Sequence, residues 1–214
     1  PKDAVRTEEM INYFRYDYAR PKDRSQPFSV TTDVAKTPWN PGTYLMRIGL
    51  RGYDITGDER PPANLVFLMD VSGSMNSPDK LPLVKTALAG LAGELSPQDT
   101  VSIVVYAGAA GMVLEPTSDT AKIRRALDSL SAGGSTAGGA GIELAYRIAE
   151  DNFIKGGVNR VILATDGDFN VGISDPDDLE NFIKTKRDAG ISLSVLGFGQ
   201  GNLDDATMQA LAQN

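Results

Sequence analysis

The sequence predicts an α/β fold of the doubly wound, Rossmann-like type, in which a mainly parallel sheet is flanked by helices. Two patterns support this. From Asn64 onward, short apolar runs alternate with amphipathic helical stretches, and polar side chains directly follow two of those runs. Residues 1–60 lack this alternation. We therefore expect an N-terminal extension over residues 1–60 and the α/β domain over residues 61–214.

The extension carries one helical pattern and two alternating segments. Thr7 is placed to cap a helix that reaches Tyr16, because apolar residues recur there at helical spacing. Residues 28–35 and 44–53 alternate apolar and polar side chains on either side of a break that contains Pro and Gly, which predicts an antiparallel β-hairpin. We expect Trp39, in this break, to pack against its own hairpin.

The α/β domain contains four runs rich in Val, Ile and Leu, as buried parallel strands are. These runs are residues 65–69, 101–106, 161–164 and 191–196. Four stripes of apolar residues at helical spacing accompany them. The stripes lie within residues 81–95, 123–130, 142–153 and 179–183. Asp119 and Asp175 stand where the second and fourth helices need N-caps, and a last helix is expected from Leu203.

The composition excludes several kinds of chemistry. The 214 residues include no cysteine and no histidine, which removes disulfides, thiol nucleophiles, Ser-His-Asp triads and ordinary zinc sites. The net charge is −7 and the basic residues are scattered, so nucleic acid is not an expected partner. No apolar run approaches the ~20 residues of a membrane-spanning helix, so we expect no direct membrane insertion of this domain.

Three polar segments belong to the loops at the predicted sheet edge. A D-x-S-x-S motif occupies residues 70–74 after the run at 65–69, T-D-G occupies residues 165–167 after the run at 161–164, and Thr136 lies in a glycine-rich loop between them. Ligands of open α/β sheets bind outside the carboxyl ends of the strands. With strand order 3-2-1-4-5, the strands that end at Asp70 and Asp166 are neighbours. For the D-x-S-x-S motif alone, capping of the next helix is the alternative.

Together the three segments resemble the von Willebrand factor type A domain family, over residues 64–213. The resemblance implies a metal ion-dependent adhesion site (MIDAS). The implied ligands are the hydroxyls of Ser72, Ser74 and Thr136, with Asp70 and Asp166 holding the ion mainly through waters. Such an oxygen-only donor set suits Mg²⁺ or Mn²⁺, with Ca²⁺ as an alternative.

The N-terminal segments 8–14 and 38–41 resemble a bacterial, often envelope-associated subgroup of this family. That resemblance implies an extracytoplasmic setting and a longer parent protein. The family domain normally ends with a further strand after its last helix, whereas this sequence stops at Asn214. We therefore expect the far sheet edge to be incomplete.

We predict a metal ion-dependent protein-binding module, in which an Asp or Glu side chain of a protein partner completes the coordination of the ion. We expect no enzyme. One alternative is a metal-dependent phosphotransferase or hydrolase with Asp70 as nucleophile, but Ser72 occupies the position where such enzymes usually carry a second acid. The other alternative is a structural scaffold with a vestigial metal site.

Overall fold

The fold comes from a computed structural model of the chain, which divides into two compact units, Pro1–Arg60 and Pro61–Asn214. It describes residues 7–55, 59–107, 109–133, 141–167 and 176–199, together with Met208 and Ala212. The predicted N-cap Asp175 and the helix expected from Leu203 lie outside the described residues, apart from two helical positions at 208 and 212. Within the described ranges no helix is long and apolar enough to cross a bilayer.

The first unit consists of a short helix and an antiparallel hairpin. Helix α1 spans Thr7–Asn12, and strands β1 (Phe28–Lys36) and β2 (Tyr44–Gly52) pair along their whole length. The hairpin was correctly predicted. Two expectations are wrong: α1 ends at Asn12 rather than Tyr16, and Trp39 is 73% exposed instead of packed.

The early end of α1 is explained by the contacts of the aromatic side chains that follow it. Tyr16 stacks on Tyr18 with ring centroids 5.4 Å apart, and both rings lie within 5.5 Å of the Arg47 guanidinium of β2. Tyr16 therefore belongs to a stack that includes a hairpin side chain, and a cation–π contact stabilises it there. Local helical spacing did not reveal this tertiary contact.

The second unit is a five-stranded, mainly parallel sheet with helices on both faces, and this fold class is the one that the sequence predicts. Its strands are β3 (Ala63–Asp70), β4 (Thr100–Ala107), β5 (Ala109–Thr117), β6 (Val158–Thr165) and β7 (Ile191–Gly197). Its helices are α2 (Leu81–Gly93), α3 (Thr120–Ser129), α4 (Gly141–Asp151) and α5 (Pro176–Asp188). The predicted N-cap Asp119 accepts hydrogen bonds from the amides of Ala121 and Lys122 at the start of α3.

The strand order is β5-β4-β3-β6-β7, which is the predicted doubly wound order. The pairs β4–β3, β3–β6 and β6–β7 are parallel. The edge strand β5 pairs antiparallel with β4. Strand β5 was not predicted from the sequence. Strand β3 lies at the centre, and its neighbours on either side lead the chain to opposite edges of the sheet. The carboxyl ends of β3 and β6 thus form the switch point where ligands bind in such sheets.

Two hydrophobic clusters cover the two faces of this sheet. Even-numbered residues of β3, such as Val66 and Leu68, pack with α4 and α5, while Leu65 and Phe67 pack with α2 and α3. All eight residues of β3 are buried. A close approach fixes the start of α4, because a Cβ on Gly141 would lie 3.0 Å from Tyr106 Cβ. Burial on both faces makes β3 a rigid base for the residues at its carboxyl end.

Candidate metal centre

The candidate centre lies where β3 and β6 end side by side. These strands are parallel neighbours, with Met69 of β3 opposite Ala164 of β6. The residues that follow the two strands therefore emerge at the same sheet edge. Asp70 ends β3, and Asp166 directly follows the end of β6 at Thr165. The side chains of both aspartates are fully buried. The predicted order therefore brings together two carboxylates that are far apart in sequence.

Asp70 is held by hydrogen bonds at both carboxylate oxygens. The Ser72 amide donates to Oδ1 at 2.8 Å, and the hydroxyls of Tyr106 and Thr165 each lie 3.4 Å from Oδ2. Burial raises the pKa of Asp70, the hydrogen bonds from Ser72 oppose that rise, and the negative charge of Asp166 adds to it. The carboxylate is therefore oriented but poorly neutralised, a state that a cation would relieve.

Burial also raises the pKa of the Tyr106 hydroxyl, and the charge of Asp70 raises it further. Tyr106 therefore stays protonated at neutral pH and can act only as a neutral donor toward Asp70. Its position follows from the β3–β4 register, in which Asp70 is paired with Tyr106. Neither Tyr106 nor Thr165 was predicted from the sequence to be a partner of Asp70. The T-D-G motif did mark the position of Thr165, but only as a neighbour of Asp166.

The two serines of the motif bring their hydroxyls together. Ser72 Oγ and Ser74 Oγ are 2.9 Å apart, with Ser72 buried and Ser74 exposed. A 3₁₀ turn over Gly73–Asn76 shapes this segment, and Met75 anchors the turn in the core. A pair of converging hydroxyls, one reaching the surface, suits an ion site that a partner can approach.

Helix capping does not account for these side chains. Ser72 precedes the 3₁₀ turn, yet its side chain makes no capping hydrogen bond. Helix α2 begins only at Leu81, and its N-cap position is Lys80, which also makes no side-chain cap. Asp70 uses its Oδ1 within the loop, on the Ser72 amide, rather than at a helix terminus. The alternative that applied to the isolated motif is therefore wrong here.

Asp166 forms an ion pair that sequence reasoning missed. Lys80 Nζ lies 2.8 Å from Asp166 Oδ2, and the lysine side chain is only 11% exposed. No sequence spacing indicates this contact, since the two residues are 86 positions apart and lie at the ends of different elements. Gly167, next in the chain, has φ of 102°, a left-handed conformation that favours glycine and explains the last letter of T-D-G.

Thr136, the remaining predicted ligand, lies outside the described residues. Gly133, the last described residue before Thr136, lies next to the motif, because its amide donates to the carbonyl of Val71 at 2.9 Å. Val71 lies between Asp70 and Ser72 in the chain, so this hydrogen bond holds Gly133 at the same sheet edge.

The residues present fit a divalent ion that prefers oxygen. The described donors are the hydroxyls of Ser72 and Ser74 and the carboxylates of Asp70 and Asp166, the ligand type of Mg²⁺, Mn²⁺ and Ca²⁺. Across the described ranges no three His, Cys, Asp or Glu side chains form a group that could hold a metal ion. A site built from the described residues at this edge would combine the carboxylates of Asp70 and Asp166 with the hydroxyls of Ser72 and Ser74.

Comparison with known proteins adds an independent line of evidence. A family model described as von Willebrand factor type A domain matches residues 65–168, and one described as von Willebrand factor matches residues 1–47. The uncharacterized protein YfbK of Escherichia coli K12 is 46% identical over 220 residues, which cover 99% of this chain and 38% of that protein. The chain thus spans well under half the length of this relative.

Solved structures agree with the fold. The crystal structure of the conserved hypothetical protein BatB from Bacteroides thetaiotaomicron superposes with a TM-score of 0.59 at 25% identity, covering 71% of this chain and 85% of that one. Proximal thread matrix protein 1 from the mussel byssus, with a zinc-occupied MIDAS motif, gives a TM-score of 0.59 at 26% identity. That match covers 72% of this chain and 39% of the mussel chain.

Proposed function

We propose that this chain, which belongs to the von Willebrand factor type A domain family, is a metal ion-dependent protein-binding module. Its site would consist of Asp70, Ser72, Ser74, Thr136 and Asp166. The observation that carries the proposal is the pair of serine hydroxyls 2.9 Å apart, next to the buried carboxylates of Asp70 and Asp166. The zinc-occupied MIDAS of the mussel protein supports the use of a divalent ion by this family.

The chemistry of the donors favours an acidic ligand. A divalent ion supplies a Lewis-acid centre that takes oxygen ligands. The serine and threonine hydroxyls are neutral, and Ser74 is exposed, so ligand can reach the ion from solvent. We therefore propose that an Asp or Glu carboxylate of a protein partner completes the coordination. We propose Mg²⁺ or Mn²⁺ as the ion, with Ca²⁺ as the alternative.

The first experiment tests the ion site itself. In isothermal titration calorimetry with MgCl₂ and with MnCl₂, the wild-type chain should bind one ion, and Asp70→Ala should lose this binding because it removes the central carboxylate. Asp188→Asn is the matched control, since Asp188 is an exposed aspartate at the end of α5. Equal affinity of Asp70→Ala and wild type would contradict the site assignment.

A second experiment tests the binding role. A protein partner captured on immobilised chain from a bacterial envelope extract should be released by EDTA, recovered on adding Mg²⁺, and absent from the Asp70→Ala matrix. A partner retained at full strength in EDTA would contradict metal-dependent binding. Mg²⁺-dependent hydrolysis of a phosphate ester that Asp70→Ala abolishes would favour the phosphotransferase or hydrolase alternative instead. We also propose an extracytoplasmic setting in the bacterial envelope.

A further inference from the structure

Lys80 is built into the candidate centre rather than lying on the surface beside it. Its ammonium is 2.8 Å from Asp166 Oδ2, with the lysine 11% and the aspartate 0% exposed. Lys80 occupies the N-cap position of α2, and its carbonyl accepts the Val84 amide at 2.9 Å. The backbone of Lys80 is therefore fixed by the helix, while its side chain extends back to the sheet edge.

The lysine stem is also held by packing. A Cβ placed on Gly199, just beyond β7, would lie 2.4 Å from Lys80 Cε and 3.1 Å from Lys80 Cγ. The backbone at Gly199 therefore lies directly against the stem, and Gly199 has φ of 88°, where glycine is favoured. A stem packed in this way keeps its charged end in one place, so little side-chain entropy opposes the ion pair.

Lys80 changes the net charge that the candidate centre has when a divalent ion is bound. Among the described residues at this sheet edge, Asp70 and Asp166 contribute two buried negative charges and Lys80 contributes one positive charge. A divalent ion added to the two aspartates alone would bring their summed charge to zero. With Lys80 in place, the same ion brings the summed charge of these three side chains and the ion to plus one. One incoming carboxylate then restores neutrality.

We propose that Lys80 is a fixed counter-charge of the metal centre, which weakens the binding of the divalent ion and strengthens the binding of a carboxylate to the ion-loaded centre. The inference rests on the proposed function, because it concerns the same ion and the same acidic ligand. Lys80 would lower the affinity for the ion and raise the affinity of the ion-loaded centre for the carboxylate. An acidic partner would thereby be selected over a neutral one by charge as well as by coordination.

The decisive experiment measures Mg²⁺ affinity by calorimetry in Lys80→Met, which keeps an unbranched stem and removes the charge. Affinity should become at least about tenfold tighter, since a unit charge a few ångströms from the ion in a partly buried site has at least that effect. Lys80→Gln should change in the same direction and provides a second neutral variant if Lys80→Met fails to fold. Lys80→Arg, which retains the charge, should stay close to wild type.

A lysine on the same helix provides the control. Lys85 donates to the backbone carbonyls of Asp128 and Leu130 at 2.9 Å, so Lys85→Met removes a half-buried lysine whose hydrogen bonds do not involve Asp166. Its Mg²⁺ affinity should equal that of wild type. A merely structural Lys80 would act by holding Asp166, and its loss would weaken ion binding. Unchanged or weaker affinity in the neutral Lys80 variants would therefore overturn the proposal.

The second readout tests the carboxylate step with acetate as the probe. Acetate that binds the Mn²⁺-loaded chain displaces water from the ion and lowers the water-proton relaxation rate. Lys80→Met should need several times more acetate for half of this effect than wild type and Lys85→Met. An equal or lower requirement would overturn the proposal. Failure of the wild-type chain to bind any divalent ion would instead overturn the proposed function, and the counter-charge role with it.

Discussion

Each oxygen of the Asp70 carboxylate has its own hydrogen-bond partners within the protein. The Ser72 amide holds Oδ1, while Tyr106 and Thr165 hold Oδ2. A ligand that is already oriented loses little freedom when the ion binds, so its partners contribute to affinity without touching the ion. Tyr106 and Thr165 would therefore contribute to the proposed centre through Asp70, without contacting the ion.

Thr165→Val tests this contribution, because it removes the hydroxyl near Asp70 Oδ2 and keeps a β-branched side chain in β6. We expect Mg²⁺ affinity to fall about tenfold, as for other partners of metal ligands. Thr165→Ser keeps the hydroxyl and should remain near wild type in the same calorimetric titration. If Thr165→Val bound Mg²⁺ as tightly as Thr165→Ser, the hydroxyl would have no role in orienting Asp70.

At the scale of elements, the central strands were predictable and the edge strand was not. Strands β3 and β4 are buried on both faces, so their sequences are nearly continuous runs of Val, Ile, Leu and aromatic residues. Strand β5 lies at the edge, pairs on one side only, and contains Gly111 and Pro116 with an irregular register against β4. Such a strand needs no continuous apolar run, and its glycine and proline are typical of turns.

Helix α4 carries a polar atom that its packing does not satisfy. The hydroxyl of Tyr146 is buried and has no hydrogen-bond partner in the described part of the chain, and burial raises its pKa. The ring itself packs well, with its centroid 5.3 Å from that of Phe182 of α5 in an edge-to-face arrangement. The hydroxyl therefore costs free energy in the folded state, while the ring contributes to the core.

Tyr146→Phe should therefore raise the free energy of unfolding by about 1 kcal/mol, because it removes a buried hydroxyl and leaves the ring in place. Urea unfolding followed by circular dichroism measures the change. Tyr106→Phe is the matched control in the same hydrophobic cluster, and it should not stabilise the fold, since the Tyr106 hydroxyl contacts Asp70. A loss of stability in Tyr146→Phe would show that its hydroxyl has a partner.

At the scale of the whole molecule, the doubly wound topology brings together two of the segments that the sequence singled out. The motifs at 70–74 and 165–167 are close only if β3 and β6 are adjacent, and the doubly wound order makes them so. Lys80 was not predictable, because its contact with Asp166 depends on how the loop before α2 folds back over the sheet edge. A side chain positioned by tertiary packing has no periodic signal in the sequence.

The two compact units lead to a prediction about independent folding. Every residue of both hydrophobic clusters lies in Pro61–Asn214, and so does every residue of the proposed centre, including Thr136. A chain of residues 61–214 should therefore unfold in a single cooperative urea transition and bind Mg²⁺ as tightly as residues 1–214 do.

The measurement pairs urea unfolding with calorimetric titration of both chains at the same pH and salt concentration. Asp70→Ala in the shorter chain is the control, and it should abolish ion binding there as in the longer one. Loss of the cooperative transition on removal of residues 1–60 would mean that the hairpin unit supplies part of the stability of the α/β unit. Tenfold weaker Mg²⁺ binding by a cooperatively folded shorter chain would mean instead that the centre depends on the hairpin unit for its geometry, since its own ligands would all still be present.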